Sequence, residues 1–302
     1  MNKYRQYIQR NGENIFSAIL KRHCAVLYSN SLVRKILHPF KSVREPDQWI
    51  FVLGCYNSGT TILKDIIGCH PAISTLPREG AKFTNHLPRP EDTGWERMWI
   101  ACKTEMAMPM DDEQLSKKIA VAIKKDWSLW WGKKTKGYLE KSVSNTTRIL
   151  WFERYFKNPT FIAITRDPIP VVEGIRRKAQ PRGQALHKLG SSEYPLNFAI
   201  DQWNEANTLI VEGEQACQNY LRIRYEDFAS NPTETLTEIW NHLGLDDVPM
   251  KYADGKLSIS NRVIEIKNMN GMSEDRLSQE EVSQILTDTR EVAKSIGYHR
   301  GG

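Results

Sequence analysis

Five consecutive apolar residues, Trp49, Ile50, Phe51, Val52 and Leu53, run directly into the segment GCYNSGTT at positions 54–61. A run this short and this apolar, ending on glycine, reads as a strand buried on both faces, with a helix expected from about Gly59. Gly54 and Gly59 between them have the spacing of a phosphate-cradling turn. In such a turn the backbone N–H groups and the positive end of the following helix converge on phosphate oxygens without a charged side chain. Strand and helix signals then alternate. TFIAIT at 160–165 and YLRIRY at 220–225 read as further strands, and a long helix is expected over 194–217. Asn145 or Thr146 is placed to cap a helix through Phe156. Asn231, Pro232 and Glu234 stand as N-cap, first and third residues of another, which Leu243 and Gly244 stop. His70, beside Pro71, reads as the end of the helix after the turn. The alternation implies an α/β fold, a three-layer sandwich with a central parallel sheet and a P-loop-like turn, binding its ligand at the carboxyl ends of the strands.

The location of positive charge limits the class of partner. Residues 1–45 hold nine Lys and Arg against Glu13 and Glu45, more than the formal net charge of +6 for the whole chain. The remainder is near neutral, so no nucleic-acid partner is expected and any anion site must be local. Between Ile15 and Leu37 apolar residues recur at three- and four-residue intervals, as in an amphipathic helix or helix pair. Two readings stand side by side: packing on the main domain with a solvated basic face, or peripheral contact with an anionic membrane. The expected organisation is a basic amphipathic N-terminal segment, 1–45, and one domain, 46–302. Cys24, Cys55, Cys69, Cys102 and Cys217 are odd in number and widely spaced, which fits a reducing compartment better than disulfides or zinc. With no run of about 18 apolar residues, the expectation is a cytoplasmic protein, extended by the peripheral membrane contact.

In nucleotide triphosphatases a lysine follows the second glycine of the turn, and here that position is Thr60. A magnesium-dependent nucleotide or metabolite kinase is therefore the weaker reading. G-x-x-x-SGTT after a buried strand resembles instead the 5′-phosphosulfate loop of sulfotransferases that use 3′-phosphoadenosine 5′-phosphosulfate (PAPS). Further segments follow in the family's order. Glu140, Lys141 and Ser142 resemble its "EK(S/T)P" segment, Arg166, Asp167 and Pro168 the end of its 3′-phosphate strand, and RYEDF at 224–228 its "RYEDL" element. IKNMN at 266–270 is similar to a late lysine-containing loop that closes on the donor in bacterial and tyrosylprotein-type members.

The resemblance implies sulfuryl transfer from PAPS to a hydroxyl or amine without a metal. It puts Asn57, Ser58, Gly59, Thr60, Thr61 and Ile62 around the 5′-phosphosulfate, Arg166 on the 3′-phosphate, Tyr225 beside the nucleotide and Lys267 near the 5′ end. Two positions depart from the family. Asn57 replaces the usual Lys or Arg, and Gly174 replaces a serine that binds the 3′-phosphate in many members. Lys267 is the first candidate for the missing cation, followed by Lys64, Lys82 and Lys141; backbone N–H, Arg176 or Arg177 are candidates for the serine's part. The same departures leave open a catalytically inactive, nucleotide-binding, membrane-associated relative.

Glu79, near where relatives place a glutamate facing the acceptor, is the expected general base, with a pKa raised by the donor anions. Its rival reading is an ordinary exposed pair with Arg78, and His86 is the reserve. Trp95, Trp99, Trp127, Trp130 and Trp131 lie within the irregular stretch 85–136 and either build an acceptor pocket or pack the core. The acceptor itself is left among small molecules, glycans, lipids and peptides.

Overall fold

The computed structural model describes residues 15–131 and 135–298. At its centre β1 (Gln48–Gly54), β2 (Ile73–Thr75), β3 (Gly137–Glu140), β4 (Pro159–Thr165) and β5 (Tyr220–Arg224) form one sheet in the order β2-β3-β1-β4-β5, every pair parallel. Helices α1 (Ile15–Tyr28) and α2 (Ser31–Leu37) precede the sheet. Between its strands run α3 (Thr60–Ile67), α4 (Glu113–Trp127), α5 (Ile149–Tyr155), α6 (Pro168–Lys178) and α7 (Leu196–Ala216), and after β5 come α8 (Tyr225–Ser230) and α9 (Pro232–His242). The middle strand, β1, is apolar on both sides because helices cover both faces. Ile50 and Val52 join Leu63, Ile162 and Trp240 in one core, while Trp49, Phe51 and Leu53 join Trp127, Phe152 and Phe161 in the other.

Beyond α9, β6 (Met250–Ala253), β7 (Lys256–Ile259) and β8 (Arg262–Glu265) make a small antiparallel sheet. Its first turn is Asp254-Gly255, with φ of +51° and +72°. Two left-handed residues in a two-residue hairpin favour Asp-Gly strongly, so this turn was a signal available in the sequence and not used.

Two local expectations are corrected, and one open alternative is decided. Asn145 and Thr146 cap no helix: a 3-10 turn (Val143–Arg148) leads into α5, Asn145 donates to Glu140, and Thr146 Oγ1 lies 3.2 Å from the Gly54 carbonyl oxygen. Asn231 precedes Pro232 at the start of α9 as expected, but its side chain makes no capping bond. Trp127 and Trp131 are buried, Trp127 donating to the Gly80 carbonyl at 3.0 Å, and Trp130 stacks on Phe83, so these three pack the core. His70 follows the end of α3 as expected, its ring holding Ala72 N and the Asp246 carbonyl.

The first fourteen residues of the basic segment lie outside the described residues. In the part described the cations divide: Lys35 is exposed, while Arg34 and Lys41 are buried. Arg34 is 3% exposed and donates to the carbonyls of Tyr28 and Lys82 and to Asn85 Oδ1. The Lys41 ammonium is buried 3.1 Å from Asp126 Oδ1, which also has His38 Nδ1 at 3.0 Å; Asp126 Oδ2 accepts from Thr84. Ala25 and Tyr28 face inward with them, while Leu20, Leu27, Leu32, Ile36 and Phe40 are exposed. A buried ion pair becomes costly when one partner loses its charge, because the other is left uncompensated. Asp126→Asn is therefore expected to lower unfolding stability by about 3 kcal/mol in a urea titration, and a change below about 1 kcal/mol would show that the Lys41 pair does not secure this face.

Candidate active site

Gly54 of β1 stands beside Ile164 of β4, and Thr165 of β4 beside Arg224 of β5. The segments leaving these three strands therefore emerge side by side at one edge of the sheet, carrying in turn the glycine turn, Arg166 and Tyr225. Arg166 is 8% exposed. Its Nη1 donates to the Asn57 carbonyl at 2.6 Å, its Nε donates to Asn270 Oδ1 at 2.9 Å, and its guanidinium lies 4.0 Å from the centre of the Tyr225 ring. Burial lowers the Arg166 pKa, while Tyr225, Glu226 and Asp167 act against that shift. The group stays charged, since a guanidinium does not lose its proton in proteins. Gly59, at φ +95°, starts α3, and a Cβ there would sit 2.8 Å from Tyr225 Cδ2. Conformation and close approach both require glycine at this point.

These residues border a cleft of about 960 Å³. Asn57, Gly59, Thr60, Thr61, Ile62, Glu79, Arg166, Gly174, Tyr225 and Lys267 all line it. Ser58 is buried in the turn, its amide bonded to the Cys55 carbonyl at 3.2 Å. Tyr225 also holds the late loop, donating from its hydroxyl to the Lys267 carbonyl at 2.9 Å and accepting from Met269 N at 3.3 Å.

The other half of the cleft comes from the β2 and β3 side of the sheet. Lys141 follows β3, and its ammonium lies 2.7 Å from Glu79 Oε1, with Lys82 3.9 Å from Oε2. Burial alone would raise the Glu79 pKa, but Lys141, Lys82 and Arg97 outweigh it and hold the carboxyl below its ordinary value. The upward shift expected from donor anions is a property of the donor-bound site; in the protein alone these three cations set the direction. Behind it Glu140 is fully buried and accepts from Gly80 N at 2.7 Å and from Ser142 and Asn145. Burial raises the Glu140 carboxyl to about 7 despite those bonds. Its work is to fix the backbone next to Glu79.

The reserve residues separate cleanly. Lys82 and Lys141 reach the cleft but are engaged by Glu79. Lys64 pairs with Asp65 at 3.5 Å, Arg176 with Glu281 at 2.6 Å and Arg177 with Glu173 at 2.5 Å. Lys267, the first choice for the missing cation, has its ammonium 2.5 Å from Glu265 and 62% of its side chain exposed, so the structure gives it another partner at the rim. His86 lies in a different hollow, with Arg34, His38 and Asp126. Sequence reasoning missed Asn270 and Glu226, although both stand inside quoted motifs: Asn270 bonds Arg166 with Oδ1 and donates from Nδ2 to Glu226 at 2.7 Å. It also missed Lys178, whose ammonium donates to Asn57 Oδ1 at 2.9 Å.

A buried guanidinium held by neutral acceptors retains its charge for an anion, and an ionised carboxylate beside a lysine at the far end is able to take a proton. Among the described residues no group of three His, Cys, Asp or Glu is arranged to hold a metal ion.

Solved structures with this fold are similar at low identity. A sulfotransferase domain from the curacin biosynthetic pathway matches with a TM-score of 0.52 and 17% identity over 86% of this chain and 100% of that one. The sulfotransferase domain of the Synechococcus PCC 7002 olefin synthase gives 0.50 and 19% over 85% and 97%, and STF9 from Mycobacterium avium 0.50 and 11% over 97% and 90%. These likenesses speak for the fold. No curated relative matches the chain. The model of the sulfotransferase family matches residues 46–249, the stretch that supplies the turn, Glu79, Lys141, Arg166 and Tyr225. On that match the chain belongs to the sulfotransferase family, and it is an enzyme of sulfuryl transfer.

Proposed function

We propose that the enzyme takes its sulfuryl group from PAPS and passes it by in-line displacement to a hydroxyl or amine of a small molecule, glycan, lipid or peptide. The observation that carries this reading is the contact of Arg166 with the Asn57 carbonyl over the face of Tyr225, at the carboxyl ends of neighbouring parallel strands. The turn 57–62 and the start of α3 hold the 5′-phosphosulfate through backbone amides and hydroxyls. Arg166 holds the 3′-phosphate, Tyr225 flanks the nucleotide, and the 266–270 loop covers it. The acceptor comes in from the β2 and β3 side. Its oxygen or nitrogen bonds to sulfur as the bond from sulfur to the 5′-phosphate oxygen breaks, and Glu79 receives the proton. Metal independence belongs to the same proposal, since protein cations line the cleft where leaving-group charge develops. A kinase is the weaker reading, because Thr60 stands in place of the reactive lysine and the family match points elsewhere.

Calorimetry with 3′-phosphoadenosine 5′-phosphate is expected to show Arg166→Ala weakening binding by about 1.5 to 3 kcal/mol, the scale of a charged hydrogen bond. An unchanged affinity would remove Arg166 from the donor site. For Glu79 the sign follows from its depressed pKa. The carboxylate is ionised throughout the neutral range and becomes protonated only as pH falls through its lowered value. The acid limb of kcat/KM assigned to Glu79, which reports the free enzyme, should accordingly lie below the ordinary carboxylate range, and Lys141→Ala should move it to higher pH. Glu79→Gln should cut kcat while leaving nucleotide binding intact; equal turnover in the two proteins would retire Glu79 as the base.

The proposal extends to the N-terminal segment 1–45 as a unit distinct from the catalytic domain 46–302 and in peripheral contact with an anionic membrane. Phe40 is 86% exposed, and Leu20, Leu27, Leu32 and Ile36 are exposed with it on α1 and α2. No described helix is long and apolar enough to cross a membrane. All five cysteines are free thiols, and we place the enzyme in the cytoplasm on that account. Liposomes of mixed neutral and anionic lipid should sediment the full chain and not a form with Leu32, Ile36 and Phe40 changed to serine. Equal sedimentation would end the membrane reading.

A further inference from the structure

Both departures from the family pattern meet at one contact. Asn57 and Gly174 are far apart in sequence, yet a Cβ on Gly174 would fall 2.9 Å from Asn57 Cγ and 3.1 Å from Nδ2. The Asn57 side chain therefore crosses the surface of α6 at the one place where a missing side chain makes room. Asn57 itself adopts φ +65°, a left-handed conformation that asparagine tolerates better than most residues. Beyond Gly174 by one helical turn is Lys178, which donates to Asn57 Oδ1 at 2.9 Å. Pro170, Gly174 and Lys178 lie at successive i, i+4 positions and all line the cleft. Among the described residues Lys178 forms no salt bridge, whereas its neighbour Arg177 is paired with Glu173.

We infer that Lys178 supplies the positive charge that the glycine turn lacks at position 57, with Asn57 as its positioning residue and Gly174 as the space that lets the two meet. The inference rests on the donor assignment above and deepens it. Arg166 and Lys178 stand at opposite ends of α6 and converge on the same residue, one on the Asn57 carbonyl and the other on its side-chain oxygen. In the proposed pose the 3′-phosphate meets Arg166, and the 5′ end enclosed by the turn meets Lys178. Asn57 Nδ2 is buried on the Gly174 side with no hydrogen-bond partner among the described residues. The charge acts on the 5′ phosphosulfate end, because that is the end the turn encloses. Arg177, Lys64 and Lys267 each have a carboxylate partner already, which leaves Lys178 as the lysine whose bond is to the turn itself.

The test is calorimetry on the full chain with two probes, 3′-phosphoadenosine 5′-phosphate and adenosine 3′-phosphate, which lacks the 5′ group. Lys178→Met should weaken the first by about ten- to a hundredfold, the range for a lost charge-assisted hydrogen bond, and leave the second within about twofold. Lys178→Arg should restore most of the loss. Asn57→Lys in the Lys178→Met background should also recover binding, since it returns a cation to the turn. Gly174→Ala should displace Asn57 and weaken the first probe, with little further loss when combined with Lys178→Met. Unchanged affinity of Lys178→Met for the first probe would overturn the assignment while the donor reading stood. Equal losses for both probes would overturn it as well, by moving Lys178 to the 3′ end. If the unaltered chain bound neither probe, the donor reading would fail and the inference with it.

Discussion

Everything at the site depends on the Arg166 guanidinium being held without being neutralised. A buried charge is expensive unless it is hydrogen-bonded, and here the bonds run to a carbonyl and an amide oxygen with an aromatic face at 4.0 Å. Each of those partners belongs to a different part of the chain: the turn after β1, the late loop, and the residue after β5. The group that would meet the donor thus also ties together the three pieces that must surround it. Glu226 makes no hydrogen bond to Arg166 among the described residues; it accepts from Asn270 Nδ2 and from the Asp167 amide, and its charge opposes the burial-driven fall in the Arg166 pKa.

Sheet order explains why the cleft has two chemically different halves. With β1 in the middle, β4 and β5 on one side deliver Arg166 and Tyr225, while β3 and β2 on the other deliver Lys141 and the segment bearing Glu79. The turn after β1 lies between them and borders both. On the proposed assignment, a reaction that requires attack and departure on opposite sides of one atom is served by this arrangement, since donor and acceptor would enter from opposite flanks of the same strand. The surrounding cations keep Glu79 ionised, and the backbone beside it is pinned by the buried Glu140. Position and charge state are therefore fixed by separate groups.

How much of this was legible in the sequence differs with the source of each feature. Residues 49–54 and 160–165 were readable because a strand in the middle of a covered sheet is apolar on both faces, which is a local property of the chain, while 220–224 is the partly buried edge strand, where Leu221 and Ile223 alternate with Arg222 and Arg224. β2 has three residues and β3 four, too few to carry a pattern, and they become strands only by pairing with β1 and with each other. The stretch 85–136 was unreadable for a related reason. Its tryptophans pack into cores assembled from distant segments, and Arg148, fully buried, reaches the carbonyls of Pro88 and Met106 to hold it. Glu79 reaches the cleft, where Lys82, three residues on, and Lys141 and Arg97, from distant segments, hold its carboxyl down, a balance that no local stretch of chain carries. Lys178 lay within reach: helical spacing from Gly174 points to it, whereas Arg176 and Arg177 face other partners.

Part of the charge counted along the N-terminal segment is held in contacts with the catalytic domain. Of the cations in the N-terminal segment, Arg34 and Lys41 are consumed in buried contacts, and Arg44 donates to the Trp131 carbonyl at 3.1 Å. Each therefore secures the segment to the catalytic domain and is spent before it can attract a lipid headgroup. What α1 and α2 turn outward is instead a row of large apolar side chains, with Leu32 and Ile36 one helical turn apart and Phe40 beyond them. Apolar area removed from water is worth roughly 25 cal/mol per Å², independent of ionic strength, whereas attraction between exposed charges fades within about 10 Å at 0.1 M salt. Insertion of those side chains would accordingly add to any association through this face independently of the net charge that first draws attention to it.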